Sequence, residues 1–407
     1  MKLFFLIIAF CFVVGHVQND LISPTFPDMI KFFNTSSSIF HLMSSSYSLG
    51  VGIGSLFLGP ISDYAGRKRT LLIGLFLLIS GCLCSMLSSN INYLICFRFF
   101  QGIGTSAPMV VCIAMVFDVC NKEKARTFIG LKNGILTFGK AIAPVIGGYL
   151  GLLISWQFNF LLITIFASLS ILLVSIFIDE TYKSTPNTSQ KNVNHLIHNL
   201  RQICKDYAFL LSDKIMMAYL FVLGFMACSI ITFTLGASII YINHLDVSKS
   251  TYGYHQGGVW AVFGVFCFLT HYIIKFTNIS ITKKIGFALM AIGCTSLNYT
   301  AYVFTTPYFI TLSMMICSAS FAILITILFT DAMSLHPHIK GASSSIIAST
   351  RTFLVTINVA LAGYFFNGTI IPITIMITTL LSLTAIIYVF IIHPHTCRTN
   401  TIPSTVN

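Results

Sequence analysis

Gly59-Pro-Ile-Ser-Asp63-Tyr-Ala-Gly66-Arg67-Lys68-Arg69 is a short, charge-dense turn between two strongly apolar stretches. It stands out in a chain of 407 residues of which only 8% are charged. Outward from the turn, in both directions, lie apolar runs of about 20 residues, the length that crosses a bilayer as a helix. Hydrophobic residues make up 56% of the chain and the mean hydropathy is +0.88, a balance that calls for lipid as solvent. The formal net charge of +12 raises the question of a nucleic-acid partner. The basic residues sit in short loops between apolar runs rather than in one solvated domain, so orientation in a membrane explains them better and no nucleic-acid partner is expected.

On the ruler of about 20 residues, twelve spans emerge: roughly 3–23, 40–60, 70–88, 92–117, 128–150, 156–178, 216–241, 253–275, 284–304, 307–330, 342–365 and 369–392. The longest polar interval follows the sixth. The expected organisation is an N-terminal six-helix bundle over 1–180, a cytoplasmic central loop over 181–213, a C-terminal six-helix bundle over 214–392 and a cytoplasmic tail over 393–407. Loop charge tests the count independently. Of the 23 Lys and Arg, only Lys31 and Lys249 fall in loops on the side opposite the N-terminus, and Arg98, Lys140 and Arg351 fall within spans. The other eighteen lie on the N-terminal side, which the positive-inside rule makes the cytoplasm. Met1-Lys2 followed by the apolar stretch 3–14 has the outline of a secretory signal, but no small-x-small cleavage site follows, so it reads as the first span.

Reactive chemistry is sparse. The twelve cysteines have neither zinc-like nor redox spacing, and Cys82 and Cys84 inside an apolar run act as small apolar side chains. His336-Pro-His338 and His393-Pro-His395 lack further ligands, so no metal and no cofactor is expected. No catalytic triad, phosphate-cradling loop or nucleotide motif is present, and an enzyme is not expected. A faint internal repeat relates Gly147-Gly-Tyr-Leu150 to Ala362-Gly-Tyr-Phe365, six spans apart, as in carriers built from two similar halves.

The turn at 59–69 carries the pattern G-x-x-x-D-x-x-G-R-K/R-R and closely resembles the loop 2–3 signature of the major facilitator superfamily. The resemblance implies an all-α polytopic membrane protein of twelve transmembrane helices in two six-helix bundles, moving small solutes by alternating access. Gly59 and Gly66 permit close helix approach and a tight turn. Asp63 is placed to accept hydrogen bonds as part of a latch that breaks when the halves rock. Arg67, Lys68 and Arg69 suit anionic headgroups, and fixing orientation could be their whole role. The second-half counterpart, 275–286, keeps basic residues and a glycine but no aspartate.

Further motifs narrow the resemblance. Arg98-Phe-Phe-Gln101-Gly102-Ile-Gly104 in span four resembles the R-x-x-Q-G-x-G motif of drug:proton antiporters. Arg98, Gln101 and Gly102 share a helix face, and a guanidinium within lipid needs an interior partner or a wet cavity. The resemblance gives Arg98 the role of tuning a membrane carboxylate; an arginine that snorkels outward is the alternative. Asp20-Leu-Ile-Ser-Pro24-Thr-Phe-Pro27 resembles the acidic first-helix segment of bicyclomycin/chloramphenicol-type exporters, which makes Asp20 the expected proton carrier. The alternative is that Asp20 caps a helix break before Pro24. Gly139-Lys140-Ala-Ile-Ala143-Pro144-Val-Ile-Gly147-Gly148 resembles the antiporter motif G-x-x-x-G/A-P-x-x-G-G, whose small residues pack tightly and whose proline kinks the helix. Trp156, Phe160 and Asp179-Glu180-Thr181 match the W-x-x-x-F and E-T pattern of the family, although Gln157 replaces the arginine usual after that tryptophan.

Lys140 departs from the pattern, because a buried ammonium is costly unless paired. It can pair with Asp20, bind an anionic solute or line a wet cavity, and Arg351 in span eleven raises the same question. The expectation is a proton-coupled exporter of small, largely apolar compounds in the bacterial plasma membrane. Its partners are a small-molecule substrate, protons and the bilayer; it is a monomer with both termini cytoplasmic. Asp20 and Arg98 would couple protons, and Gln101 and Lys140 would line the cavity. A carrier of an anionic metabolite and a transporter-like sensor are the alternatives.

Overall fold

The computed structural model describes residues 2–119, 122–181, 204–303, 305–336 and 339–394, without the side chains of 60, 63, 64, 122–133 and 340–342. Most of the central loop and tail expected from the sequence, and the Asp63 side chain, therefore lie outside the described residues. The first half comprises α1 (Lys2–His16), α2 (Gln18–Ile22), a 3-10 turn (Ser23–Thr25), α3 (Phe26–Phe32), α4 (Ser37–Ala65), α5 (Arg67–Leu87), α6 (Ile91–Val119), α7 (Lys122–Leu153) and α8 (Gln157–Phe177). After α9 (204–212) follow α10 (Lys214–Asn243), α11 (Lys249–Phe276), α12 (Ile279–Tyr302), α13 (Pro307–Leu335), α14 (Lys340–Phe365) and α15 (Ile371–Ile387), which runs into a short π-helical end (Tyr388–Ile392).

Ten of these helices are by themselves long and apolar enough to cross a membrane, and the bent segment from Lys2 to Phe32 makes an eleventh. The twelfth is α12, 24 residues long with Lys283 and Lys284 in its first turns. Side-chain caps start several helices where the sequence changes from polar to apolar. Ser36, Asp213, Ser248 and Asn278 each accept a backbone N–H from the first turn of α4, α10, α11 and α12. Asp213 also meets His336 Nε2 at 2.8 Å, so this histidine has a structural partner; His338 lies outside the described residues. Burial works against the Asp213 carboxylate, but the His336 hydrogen bond and the N–H groups of Ile215 and Met216 outweigh it and lower its pKa.

The first span is longer than the expected 3–23 and is not straight, bending by 51° between Lys2–His16 and Gln18–Phe32. Proline explains the irregular part. Pro24 has no N–H to give the Asp20 carbonyl, and Ser23 Oγ takes that carbonyl instead at 3.1 Å. The Phe26 N–H bonds Ser23 O in 3-10 fashion, and Thr25 Oγ1 donates to the bypassed Ile22 carbonyl at 2.8 Å. A polar backbone in lipid is thus satisfied by neighbouring hydroxyls.

Close helix contact follows the glycines. A Cβ on Gly102 would fall 2.2 Å from Tyr47 O of α4, and one on Gly104 would fall 2.4 Å from Leu78 N of α5. In α7, Gly147 meets the first span, where an added Cβ would be 1.8 Å from Leu21 O, and Gly148 meets α11, 2.4 Å from Lys249 O. The two halves touch along two seams. α7 lies on α11, where Gly253 and Gly257 face the carbonyls of Pro144 and Ala141. α4 lies on α14, where Gly363 packs on His41 and Ser45 Oγ donates to Thr356 O at 2.7 Å. Both seams include the helix ends next to the α3–α4 and α10–α11 connections, where Lys249 Nζ also pairs with Asp28 at 2.5 Å. Gly147→Ala is expected to lower the melting midpoint in detergent, an overpacking cost of about 1–3 kcal/mol. Gly134→Ala, with no described atom within 4 Å of the new methyl, should match or slightly exceed the wild type.

Candidate transport site

Three successive polar residues on the five-residue helix α2 occupy the middle of the first span, and each reaches a different helix. Gln18 Nε2 donates to Thr105 Oγ1 at 3.0 Å, while its Oε1 accepts from Gln101 Nε2 at 2.8 Å. Asn19 Oδ1 accepts from Arg98 Nη2. Asp20 Oδ2 lies 3.8 Å from Lys140 Nζ on α7, and its Oδ1 accepts from Trp260 Nε1 on α11 at 2.8 Å. One short helix therefore joins α6, α7 and α11.

Arg98 is fully buried. Its guanidinium donates to Gln101 Oε1 at 2.9 Å and to Asn19, and stacks 4.3 Å above the Tyr47 ring. Amide oxygens and a π face replace the carboxylate expected to face this cation. The outward snorkel is excluded by this burial. Arg98 and Asp20 act on neighbouring residues of α2 rather than on each other. Gln101, expected in the cavity, is instead completely buried in the first half, engaged by Arg98, Gln18 and the Cys82 thiol. Helix packing accounts for the difference: the face of α6 that carries Gln101 lies against α5, where Gly81 would meet the Gln101 backbone.

Asp20, Lys140 and Trp260 form the second cluster. The Lys140 ammonium lies 4.0 Å from the centre of the Trp260 ring, so the indole holds the cation on its face and the carboxylate on its edge. Asp20 and Lys140 belong to the first half and Trp260 to the second, which makes this a polar contact across the seam. Lys140 keeps 18% of its side-chain surface exposed against 5% for Asp20. Sequence reasoning named the Asp20–Lys140 pair as one option and missed Trp260. The available signal was its place three and seven residues from Gly257 and Gly253, on the helix face that the glycines line.

The turn at 59–69 forms a third cluster at the opposite ends of the helices. Gly66, at φ +100°, breaks α4 from α5 and leaves room for Glu180, whose Oε2 would lie 2.6 Å from an added Cβ. Glu180 accepts the N–H groups of Arg67 and Lys68 at 2.8 and 3.2 Å, placing a carboxylate on the N-terminus of α5. That contact gives the E-T motif a physical role. Arg67 pairs with Asp118 of α6 at 2.9 Å and donates to Ser62 Oγ at 2.6 Å, while Lys68 Nζ donates to Ser175 O. Arg69 ends as an exposed side chain. An equivalent pair exists in the second half, where Lys283 at the start of α12 meets Asp331 near the end of α13 at 2.7 Å.

Two helical halves touching at a buried, ionisable contact define a multi-pass membrane transporter. The family model of the Major Facilitator Superfamily matches residues 8–357, and the chain belongs to that superfamily. Among curated relatives, YdgK of Bacillus subtilis, described as an uncharacterised MFS-type transporter, is 28% identical over 364 residues, 86% of each chain. The bicyclomycin resistance protein homolog of Haemophilus influenzae is 27% identical over 270 residues, 66% of this chain and 63% of that one. The partially occluded inward-open form of the xylose transporter XylE from E. coli superposes with a TM-score of 0.72 at 16% identity, covering 96% of this chain and 97% of that one. That likeness concerns the fold.

A double-mutant cycle on Arg67→Ala and Asp118→Ala, read by denaturation in detergent, is expected to give a coupling of about 1 kcal/mol, as for residues in direct contact. The same cycle on Lys283 and Asp331 should give a coupling of the same sign. Additive losses at either pair would show that it does not brace its half.

Proposed function

We propose that this transporter exports small, largely apolar compounds in exchange for protons by alternating access. The observation that carries the proposal is Asp20, held by Lys140 of its own half and by Trp260 of the other. Protonation of Asp20 removes the charge that both partners use, so it weakens a bond within one half and a bond between the halves in one event. The two bodies are residues 1–180 and 214–392, linked by a cytoplasmic loop over 181–213 and followed by a tail over 393–407. The protein works as a monomer in the bacterial plasma membrane with both termini in the cytoplasm.

With that orientation, the seams at the α3–α4 and α10–α11 ends lie on the outer side, and the arrangement described is closed to the outside. In the proposed cycle this arrangement is the one reached after Asp20 has released its proton to the cytoplasm. Solute entering from the cytoplasm competes for Lys140 and Trp260 and loosens the outer seam. The protein then opens outward, releases solute and reprotonates Asp20. Arg98 positions Asp20 by gripping Asn19, and Gln101 locks α2 through Gln18. Gly102, Gly139, Pro144, Gly147 and Gly148 let the helices pack closely enough to stop leakage. Gly59, Asp63, Gly66, Arg67, Lys68 and Arg69 set the cytoplasmic end of the first half. The relative named for bicyclomycin resistance supports the cargo class.

The chain has two tryptophans, so Trp156→Phe leaves Trp260 as its single indole reporter. In that background, Trp260 emission should change with pH and Asp20→Asn should abolish the change. In reconstituted vesicles, Asp20→Asn should reduce pH-gradient-driven movement of labelled chloramphenicol or bicyclomycin to background. Trp260→Phe keeps the ring but loses the hydrogen bond and should slow it about tenfold, the value of one charge-assisted bond. Full gradient-driven transport by Asp20→Asn would overturn the proposal.

A further inference from the structure

The two seams between the halves start alike. Ser36 Oγ accepts the Ile39 N–H at the start of α4, and Ser248 Oγ accepts the Thr251 N–H at the start of α11. Each start is met by a glycine of the other half. Gly363 of α14 lies on Ser38 and His41, and Gly148 of α7 lies on Lys249 and Ser250. These two glycines hold the same place in the repeated segments 147–150 and 362–365. One position differs in chemistry. Five residues after the cap, α11 has Gly253, which faces the Pro144 carbonyl, and α4 has His41.

His41 is 4% exposed, and its Nε2 has no hydrogen-bond partner among the described residues. A Cβ on Gly363 would lie 2.5 Å from His41 Cβ, and the Phe366 ring centre is 5.9 Å from that of the imidazole. Titratable groups on the surrounding elements are engaged elsewhere. Asp28 of α3 pairs with Lys249, Lys31 and Tyr364 are exposed, and His244 at the end of α10 lies against Gly368. Tyr47 of α4 lies beneath Arg98 of α6, which Gln101 and Asn19 hold, and Cys82 of α5 meets Gln101. Arg351 of α14 is twelve residues before Gly363 along the helix. An imidazolium carries a charge and two N–H donors, and burying it with neither a carboxylate nor an acceptor is costly. The neutral ring costs far less, so closure of this seam selects it.

We infer that His41 is a second proton-binding site, and that the α4–α14 seam closes only over its neutral ring. The direction rests on the orientation and export cycle proposed above, in which this seam faces the outer solution whenever it opens. A solvated imidazole titrates near pH ~6.5, so acid outside holds the seam open after cargo has left. One proton bound by the open form and none by the closed form shifts the balance towards open by up to about tenfold per pH unit below that value. The interval in which Asp20 can take its proton is therefore longest when protons outside are plentiful. The α7–α11 seam, with Gly253 at the matching place, has no such switch at its outer end.

Full-length protein in nanodiscs, with spin labels on p-acetylphenylalanine at positions 42 and 361, reads the width of the seam. Leu42 and Leu361 are exposed, one on α4 and one on α14, and the ketone chemistry bypasses the twelve native cysteines. Asp20→Asn serves as the background, because it removes the titration of that carboxylate. Pulsed electron resonance between about pH 8 and about pH 5 should then show the ratio of long to short distances rising at least tenfold, with the rise starting near ~6.5. His41→Phe in the same background should keep the short distance at every pH. If that variant fails to fold, His41→Gln, polar but neutral throughout, should give the same flat profile. His255→Gln, a change of the half-buried histidine near the outer end of α11, should leave the rise in place. A rise that persists without His41, or that depends on His255 instead, would overturn the inference. So would a seam that ignores pH while His41 is present. Gradient-driven transport by Asp20→Asn would remove proton coupling at Asp20 and leave the His41 distance change standing, so the two failures are distinct.

Discussion

Everything in the first half is arranged around one constraint: Gln18, Asn19 and Asp20 are three consecutive polar side chains at the middle of a membrane span, and each needs a partner. A straight α-helix turns successive residues by about 100°, so three in a row cannot face one neighbour. The structure answers with three neighbours. Gln18 takes Gln101 and Thr105, Asn19 takes Arg98, and Asp20 takes Lys140 and Trp260. The bend before Gln18 and the 3-10 turn after Ile22 set this short segment apart from the rest of its span. The glycines then follow as necessities. Gly147 brings the backbone of α7 against the Leu21 carbonyl of α2, while Gly102 and Gly104 seat α6 against α4 and α5.

This arrangement also relates Arg98 to Asp20 without contact between them. Arg98 bonds Asn19 while the adjacent Asp20 meets Lys140 and Trp260, so the two groups are joined through α2. That connection runs through one peptide unit. It requires the network around Arg98 to be rigid, and the complete burial of Arg98, Gln101, Gln18 and Thr105 meets that requirement.

Much of the architecture was legible because lipid imposes a simple ruler. Helix length, loop charge and the glycine and proline motifs need no tertiary information, and the twelve spans fall within a few residues of the helices, except where Pro24 and Pro27 extend the first. The site was legible only in part. Asp20, Arg98 and Lys140 are visible as charges inside apolar runs, but their pairing is not, since it depends on which way α2 points each side chain. Gln101 was expected to line the cavity, and it lies buried between the first span and α5, engaged by Arg98, Gln18 and Cys82. Trp260 was hidden because an indole in an apolar helix is ordinary until an acid from another helix is found at its edge. Glu180 was visible as part of a motif and gained a role only when Gly66 was seen to bring the N-terminus of α5 to it.

The second half shows how a physical requirement outlasts its sequence signature. Loop 8–9 has no aspartate, so by pattern it lacks the brace of the first half. Yet Lys283 and Asp331 pair at positions that mirror Arg67 and Asp118: a cation opening the third helix of its half against an acid closing the fourth. A helix N-terminus is a poor place for a cation, since the backbone N–H groups there already carry positive charge. In the first half Glu180 offsets that cost by binding the N–H groups directly. In the second, Asn278 caps α12 with a neutral amide, bonding Ile281 N at 2.7 Å, and Lys283 reaches past it to Asp331. Among the described residues, the first half therefore holds this corner with two carboxylates, Glu180 and Asp118, and the second with one, Asp331. That asymmetry makes the second half the more easily deformed of the two at this end, and so the half in which the bundle should give way first when the halves rock.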